Sequence, residues 1–88
     1  VKLVFSDLAW EQYTGWITAD PILLDKLNGL IRDCMRTPFH GTGKPEPLKG
    51  DLAGWWSRRL SQEHRLVYRV SGKGDDQRLE IAQCRFPY

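Results

Sequence analysis

The 88 residues predict one α+β domain: an N-terminal strand, a two-helix hairpin, then a three-stranded antiparallel meander forming a twisted sheet with the helices on one face. Three observations carry this. Apolar residues recur at three- and four-residue spacing early in the chain, they alternate with polar ones in its last third, and a proline- and glycine-rich stretch separates the two regimes. A second domain does not fit in a chain of this length.

Leu3, Val4 and Phe5 read as a short strand that ends at Ser6-Asp7, where Ser6 offers a helix N-cap. The first helix is expected from about Asp7 to Thr18, with Leu8, Trp10, Tyr13, Trp16 and Ile17 loosely on one face. Asp20-Pro21 restarts a helix with a cap and a proline at its first position, and Leu23, Leu27, Leu30, Ile31 and Cys34 continue it. From Arg36 to Leu48, three prolines and two glycines exclude helix and central strand. A loop of that length inside a small domain is more often functional than decorative. Strands are then expected at roughly Gly54 to Leu60, Arg65 to Val70 and Arg78 to Phe86, joined by turns at Ser61-Gln62-Glu63 and Ser71 to Asp76.

Composition sets outer bounds. With 41% apolar and 27% charged residues, the chain is neither disordered nor fibrous. No apolar run is long enough to span a bilayer and the N-terminal segment does not read as a signal peptide, so a cytoplasmic protein without membrane contact is expected. Cys34 and Cys84 make no disulfide framework and no metal-binding spacing, so reduced thiols and no cofactor are expected. The net charge of +2 hides an asymmetry. Residues 1–33 carry three Lys/Arg against five Asp/Glu, and residues 34–88 carry ten against six. A basic second half suits a polyanionic partner.

Period two in the strands sorts the cations. Arg58 falls with Trp56 and Leu60, Arg59 with Ser57, and Arg65 and Arg69 with Val67, opposite Leu66, Tyr68 and Val70. If the helices cover the Leu66–Tyr68–Val70 face, Arg65 and Arg69 project from the open one beside Arg59, a patch suited to bidentate phosphate contacts. Glu46 and Lys49 leave the proline-rich loop within reach of it. A carboxylate held ionised among arginines can take a proton from a ribose 2′-OH while guanidinium groups stabilise charge developing on phosphorus. Spacing alone equally describes Glu46 in a surface ion pair worth about 0–1 kcal/mol. The four tryptophans read as core or interface anchors, and an exposed one could stack on a nucleobase. His64 reads as a satisfied, half-buried imidazole, and His40 as an exposed loop residue.

Several words occur in a telling order: Thr37-Pro38-Phe39, then Gly41-x-Gly43-Lys44-Pro45-Glu46-Pro47-Leu48, Trp56-Ser57-Arg58-Arg59, and Glu63-His64-Arg65-Leu66-Val67-Tyr68. Together they resemble the YoeB/Txe branch of the RelE-type bacterial toxins over nearly the whole chain. The resemblance implies a ribosome-dependent messenger RNA endonuclease that uses the 2′-OH as internal nucleophile to leave a 2′,3′-cyclic phosphate. It also implies inhibition by a YefM-type antitoxin and a homodimeric state. Carried over by position, Glu46 would be the general base, Arg65 the transition-state stabiliser and Tyr88 the terminal tyrosine that orients RNA. Lys49 and Arg59 would contact phosphate, with Lys44 and Arg58 as further RNA contacts.

One position departs from the family. Its members end Arg-Tyr-His-Tyr and the histidine is held to protonate the leaving 5′-oxygen, whereas this chain ends Arg85-Phe86-Pro87-Tyr88. Loss of a positioned acid slows a reaction by about 10²–10⁴-fold, and His40, Lys49, Tyr88 and the ribosome itself remain open as substitutes. Pro87 also restricts Phe86 to an extended conformation. It motivates an alternative, a toxin that blocks translation by ribosome binding alone. The gyrase-poisoning relatives of the same fold are a remoter alternative, against which the pair Glu46 and Arg65 argues.

Overall fold

Single polar side chains start and stop the helices. In the computed structural model, which describes residues 1–87, β1 (Lys2–Phe5) ends at Ser6, whose hydroxyl accepts the Ala9 N–H at 3.0 Å and opens α1 (Asp7–Ala19). Asp20 both closes α1, through its N–H to the Trp16 carbonyl, and caps α2 (Pro21–Arg36) by accepting the Leu23 N–H at 3.1 Å. One residue therefore makes the whole hairpin turn. The helices bury Ala9 and Trp16 from α1, and Leu27, Leu30, Ile31 and Cys34 from α2. No helix among the described residues is long and apolar enough to cross a membrane.

The remaining strands are β2 (Glu46–Pro47), β3 (Trp56–Arg59), β4 (Arg65–Ser71) and β5 (Arg78–Gln83). β3, β4 and β5 form the expected antiparallel meander, but the sheet is five-stranded and mixed, in the order β1-β5-β4-β3-β2. Two additions extend the three-stranded expectation. β1 lies parallel to β5, pairing Leu3 with Leu79 and Phe5 with Ile81. The short β2 pairs antiparallel with β3, out of a loop whose prolines exclude a central strand but not an edge one, where no ladder N–H is needed. β5 stops at Gln83, short of Phe86. Val67 pairs with Gln83 and Tyr68 with Ile81, so Ala82 is the extra residue of a bulge.

The core lies between the helices and one sheet face, where Leu27, Leu30 and Ile31 meet Leu60, Leu66, Tyr68, Leu79 and Ile81. At an average of about 1.5–3 kcal/mol for each buried aliphatic or aromatic side chain, this layer is the main source of stability. Both cysteines are free and buried. Burial pushes the Cys34 thiol up to about 11 and that of Cys84 up to about 12.

Arg58 sits in this covered layer and its side chain is completely buried. Its Nη1 donates to Asp33 Oδ2 at 2.6 Å and to the Thr42 carbonyl at 3.1 Å. Nη2 donates to the carbonyls of Thr37 at 2.6 Å and His40 at 2.7 Å. Nε donates to the Tyr68 hydroxyl at 3.2 Å, which itself donates to the Pro38 carbonyl at 2.6 Å. One guanidinium thus ties three loop carbonyls, α2 and β4 together, which is why a proline-rich loop is ordered at all. Arg58 was expected among the RNA contacts. That expectation is corrected: it lies on the helix-covered face with every nitrogen engaged inside the protein.

The loop's glycines follow from this closeness. A Cβ on Gly41, at φ 118°, would overlap the Asp33 carboxylate, and one on Gly43, at φ 81°, would press on Arg58, Leu30 and the Arg59 carbonyl at 3.1 Å each. Burial alone would lower the Arg58 pKa, but its bonds to Tyr68 and Asp33 more than offset that and it stays charged. Burial raises the Tyr68 phenol to about 12.

Replacing Arg58 with Met should cost about 3–5 kcal/mol in denaturant unfolding, since it removes all five hydrogen bonds of the buried guanidinium and leaves Asp33 only the exposed Arg36 as a cation. The double variant with Asp33→Asn should recover part of that loss. The Thr42 N–H first, and Arg58 next, lower the Asp33 carboxyl from 3.8 to about 2. Its contribution to stability is therefore complete above about pH 4 and lost as pH falls towards 2. Acid titration of unfolding should show Asp33→Asn missing that segment of the curve.

Candidate functional site on the open sheet face

The sheet face away from the helices is ordered by register. Directly paired residues share a face, so Glu46, Ser57, Val67 and Gln83 form one row across four strands. Ser57 and Val67, at 4% and 2% exposure, lie below the longer side chains around them, while Glu46 is exposed at the β2 end. Two residues along the strands, Arg59 pairs with Arg65 and forms a cationic row on the same face. In the other direction, Arg69 pairs with Glu80. Strand spacings place the backbone of Glu46 about 7–8 Å from Arg59 and about 12 Å from Arg65, a gap that admits a ribose-phosphate unit.

The hub described above sets the position of Glu46. The loop that Arg58 holds passes through Gly43, whose carbonyl accepts the Arg59 N–H at 2.7 Å, and enters β2 beside β3. Leu48 N–H to the Trp55 carbonyl at 2.9 Å continues the pairing past Pro47. Among the described residues no ion pair or side-chain hydrogen bond engages the Glu46 carboxylate, nor the Arg59 side chain. Lys44 and Lys49 are exposed on either side of β2, Lys44 towards Arg59 and Lys49 at the turn before Gly50–Leu52. The structure therefore brings Glu46, Arg59 and Arg65 to one face, flanks them with the two lysines, and removes Arg58 from it.

Arg65 is held differently from Arg59. Its Nη1 donates to the carbonyls of Ser61, His64 and Gln62 at 2.7, 3.0 and 3.2 Å. One nitrogen is saturated and fixes the head group. The opposite edge, Nε and Nη2, makes no hydrogen bond to the described residues.

Phe86 docks against this residue and its neighbour His64. Phe86 donates its N–H to His64 Nδ1 at 2.8 Å, and its carbonyl accepts the Arg65 N–H at 3.2 Å. Phe86 takes φ 65°, not the extended conformation expected ahead of Pro87. Two backbone hydrogen bonds and a ring contact with His64 at 5.8 Å offset a left-handed strain of about 1–2 kcal/mol. His64 also packs edge-on against Trp16 at 4.8 Å, so it is the satisfied, half-buried imidazole expected. Pro87 thus follows directly on a segment bonded to Arg65. Tyr88 lies outside the described residues.

Sequence reasoning missed the surroundings of Arg69. Its guanidinium carbon lies 4.5 Å from the centre of the half-buried Trp55 ring. Its Nε donates to Glu80 Oε2 at 2.9 Å, and Ser71 Oγ donates to the same oxygen at 2.6 Å. These bonds, that from Arg69 foremost, hold the Glu80 carboxyl below its ordinary value. Next to Lys44 and Arg59, α2 and the 42–44 loop line a groove of about 1050 Å³. Lys26, Arg32, Arg36, Lys44 and Arg59 surround it over Leu30 and Met35, and its one carboxylate, Asp33, is shared between Arg58 at 2.6 Å and Arg36 at 3.1 Å. No group of three or more His, Cys, Asp or Glu among the described residues could hold a metal ion.

Residues 5–88 match the family described as YoeB-like toxin of bacterial type II toxin-antitoxin system. The toxin YoeB of Escherichia coli K12 is 50% identical over 88 residues, covering all of both chains. A solved YoeB/ParE toxin from Agrobacterium tumefaciens superposes with a TM-score of 0.97 at 58% identity, again over both whole chains. YoeB of Staphylococcus aureus, 38–39% identical, gives a TM-score of 0.86 over all of this chain and 98% of that one. It has been solved as a dimer and in a heterotetrameric complex with YefM. A likeness that spans the entire chain in sequence and in fold places this protein in the YoeB family of toxins from bacterial type II toxin–antitoxin systems.

Proposed function

We propose that the protein is a ribosome-dependent endoribonuclease that cuts messenger RNA in the decoding site and so arrests translation. The observation that supports it most is the pairing, on one sheet face, of the unengaged Glu46 carboxylate with the uncompensated guanidinium groups of Arg59 and Arg65. A surface ion pair would have joined them. Held apart, they can take a proton and a phosphate at the same time.

Glu46 accepts the proton of a ribose 2′-OH, whose oxygen attacks the adjacent phosphorus. The bond to the 5′-oxygen of the next nucleotide breaks, leaving a 2′,3′-cyclic phosphate and a 5′-hydroxyl. The open edge of Arg65, with Arg59, receives the charge that builds on the phosphoryl oxygens, and its tether to three carbonyls removes reorganisation from that step. Lys44 and Lys49 hold flanking phosphates, and Tyr88 orients the RNA. The 5′-oxygen takes its proton from water, since Pro87 has none to give. The same residue supports the second reading, a toxin that occupies the ribosome without cutting.

The partner is proposed to be a YefM-type antitoxin whose acidic segment, ordered on binding, neutralises the cations around the α2 groove. Two copies of the chain associate through the exposed Trp10, backed by the half-buried Phe5 and Tyr13. There Trp10 is 54% exposed and stacks on Tyr13 at 5.7 Å, beside the free edge of β1.

In a translation extract the protein should yield messages cut at codons in the decoding site. Glu46→Ala should reduce cutting by at least about 10²-fold, and Pro87→His should accelerate it by about 10²-fold or more. Arrested translation with intact message, unchanged in Glu46→Gln, would establish the binding-only reading instead.

A further inference from the structure

Arg69 shares the open face with Arg59 and Arg65 but is built for a different ligand. Phosphate is held best by cations without a counter-charge, and Arg69 has one. Glu80 accepts from its Nε at 2.9 Å and from its Nη2 at 3.4 Å, and Ser71 locks the carboxylate from behind at 2.6 Å. The indole of Trp55 lies under the guanidinium at 4.5 Å. The head group is thus planar, neutralised and fixed on one side and one edge. Its Nη1 makes no hydrogen bond to the described residues, and the side chain is 45% exposed. What such a surface offers is a flat, polarisable plane with one hydrogen-bond donor beside it, which suits an aromatic ring carrying an acceptor. Arg69 stands two residues along β4 from Val67, about 7 Å from the Glu46 row, on the side opposite the Arg59–Arg65 row. A nucleotide whose phosphate is held by that row and whose ribose faces Glu46 has its neighbour here.

We propose that Trp55, Arg69 and Glu80 form a stacking platform for one unpaired nucleobase next to the reacting ribose, and that the platform sets which base is accepted there. The proposal rests on the RNA-cutting reading for its location. Arg69 contacts the base, while Trp55 beneath it and Glu80 and Ser71 at its edge are positioning residues that act through it.

The test uses ribosomes programmed with four messages that differ only in the base flanking the cut. Binding is measured with a Glu46→Gln protein and cutting with the otherwise unaltered one. Affinity and KM should depend on that base, with a spread of about tenfold. Arg69→Ala should flatten the spread, bringing KM for the favoured bases up to that for the least favoured one. Arg69→Gln keeps the packing on Trp55 and guards against a folding defect, and it should flatten the spread as well. Glu80→Gln, which releases the guanidinium, should change the ranking of the bases, an effect that a merely stabilising ion pair would not produce. An unchanged spread in the Arg69 variants, with cutting intact, overturns the platform and leaves the nuclease standing. Base-dependent binding lost in Arg69→Ala, in a protein that never cuts, supports the platform and removes the nuclease.

Discussion

The order of the proline-rich loop, and with it the place of Glu46, depends on a single buried cation. Arg58 reaches from β3 into the helix-covered layer and meets Asp33 on α2, Tyr68 on β4 and three carbonyls of the 37–42 loop. A charge taken out of water is costly unless nearly every donor finds a partner, and here each nitrogen does. The same bonds convert a loop that cannot form regular structure by itself into a fixed strap. The strap delivers Glu46 to the sheet edge in register with Ser57. A constraint on stability is thus also a constraint on where the carboxylate stands.

The other arginines of the sheet are distinguished by what compensates them. Arg58 is neutralised and buried, Arg69 is neutralised and exposed, and Arg59 and Arg65 face solvent without a carboxylate among the described residues. In a chain whose net charge is only +2, affinity for a polyanion comes from where compensation is withheld, not from the sum. Association steered by that face should be sensitive to salt. The pairing of Glu46 with the cations only across a gap has the same logic, since a closed ion pair would occupy the place a substrate needs.

Much of the architecture was legible from the sequence because it is encoded locally. Asp20-Pro21 marked the helix restart, period two in Arg65–Val70 separated the covered face from the open one, and the words around Glu46 and Arg65 carried the family. What escaped depends on partners far away in the chain. β1 pairs with β5 more than seventy residues later, and nothing in Lys2–Phe5 specifies that neighbour. The alternation already placed Arg58 with Trp56 and Leu60, yet its burial is intelligible only with Asp33, twenty-five residues earlier. The left-handed Phe86 is likewise set by His64 and Arg65, against the local preference that Pro87 imposes. Trp55 read as an anchor and Arg69 as part of the phosphate-binding patch, until the fold put Arg69 over Trp55 and against Glu80.

A structure of the Glu46→Gln protein on a ribosome carrying intact messenger RNA tests this arrangement at its centre. A ribose 2′-oxygen is expected within hydrogen-bond distance of the residue 46 side chain, with the following phosphate against the open edge of Arg65. RNA running along another surface, with the row from Glu46 to Gln83 facing solvent, would contradict it.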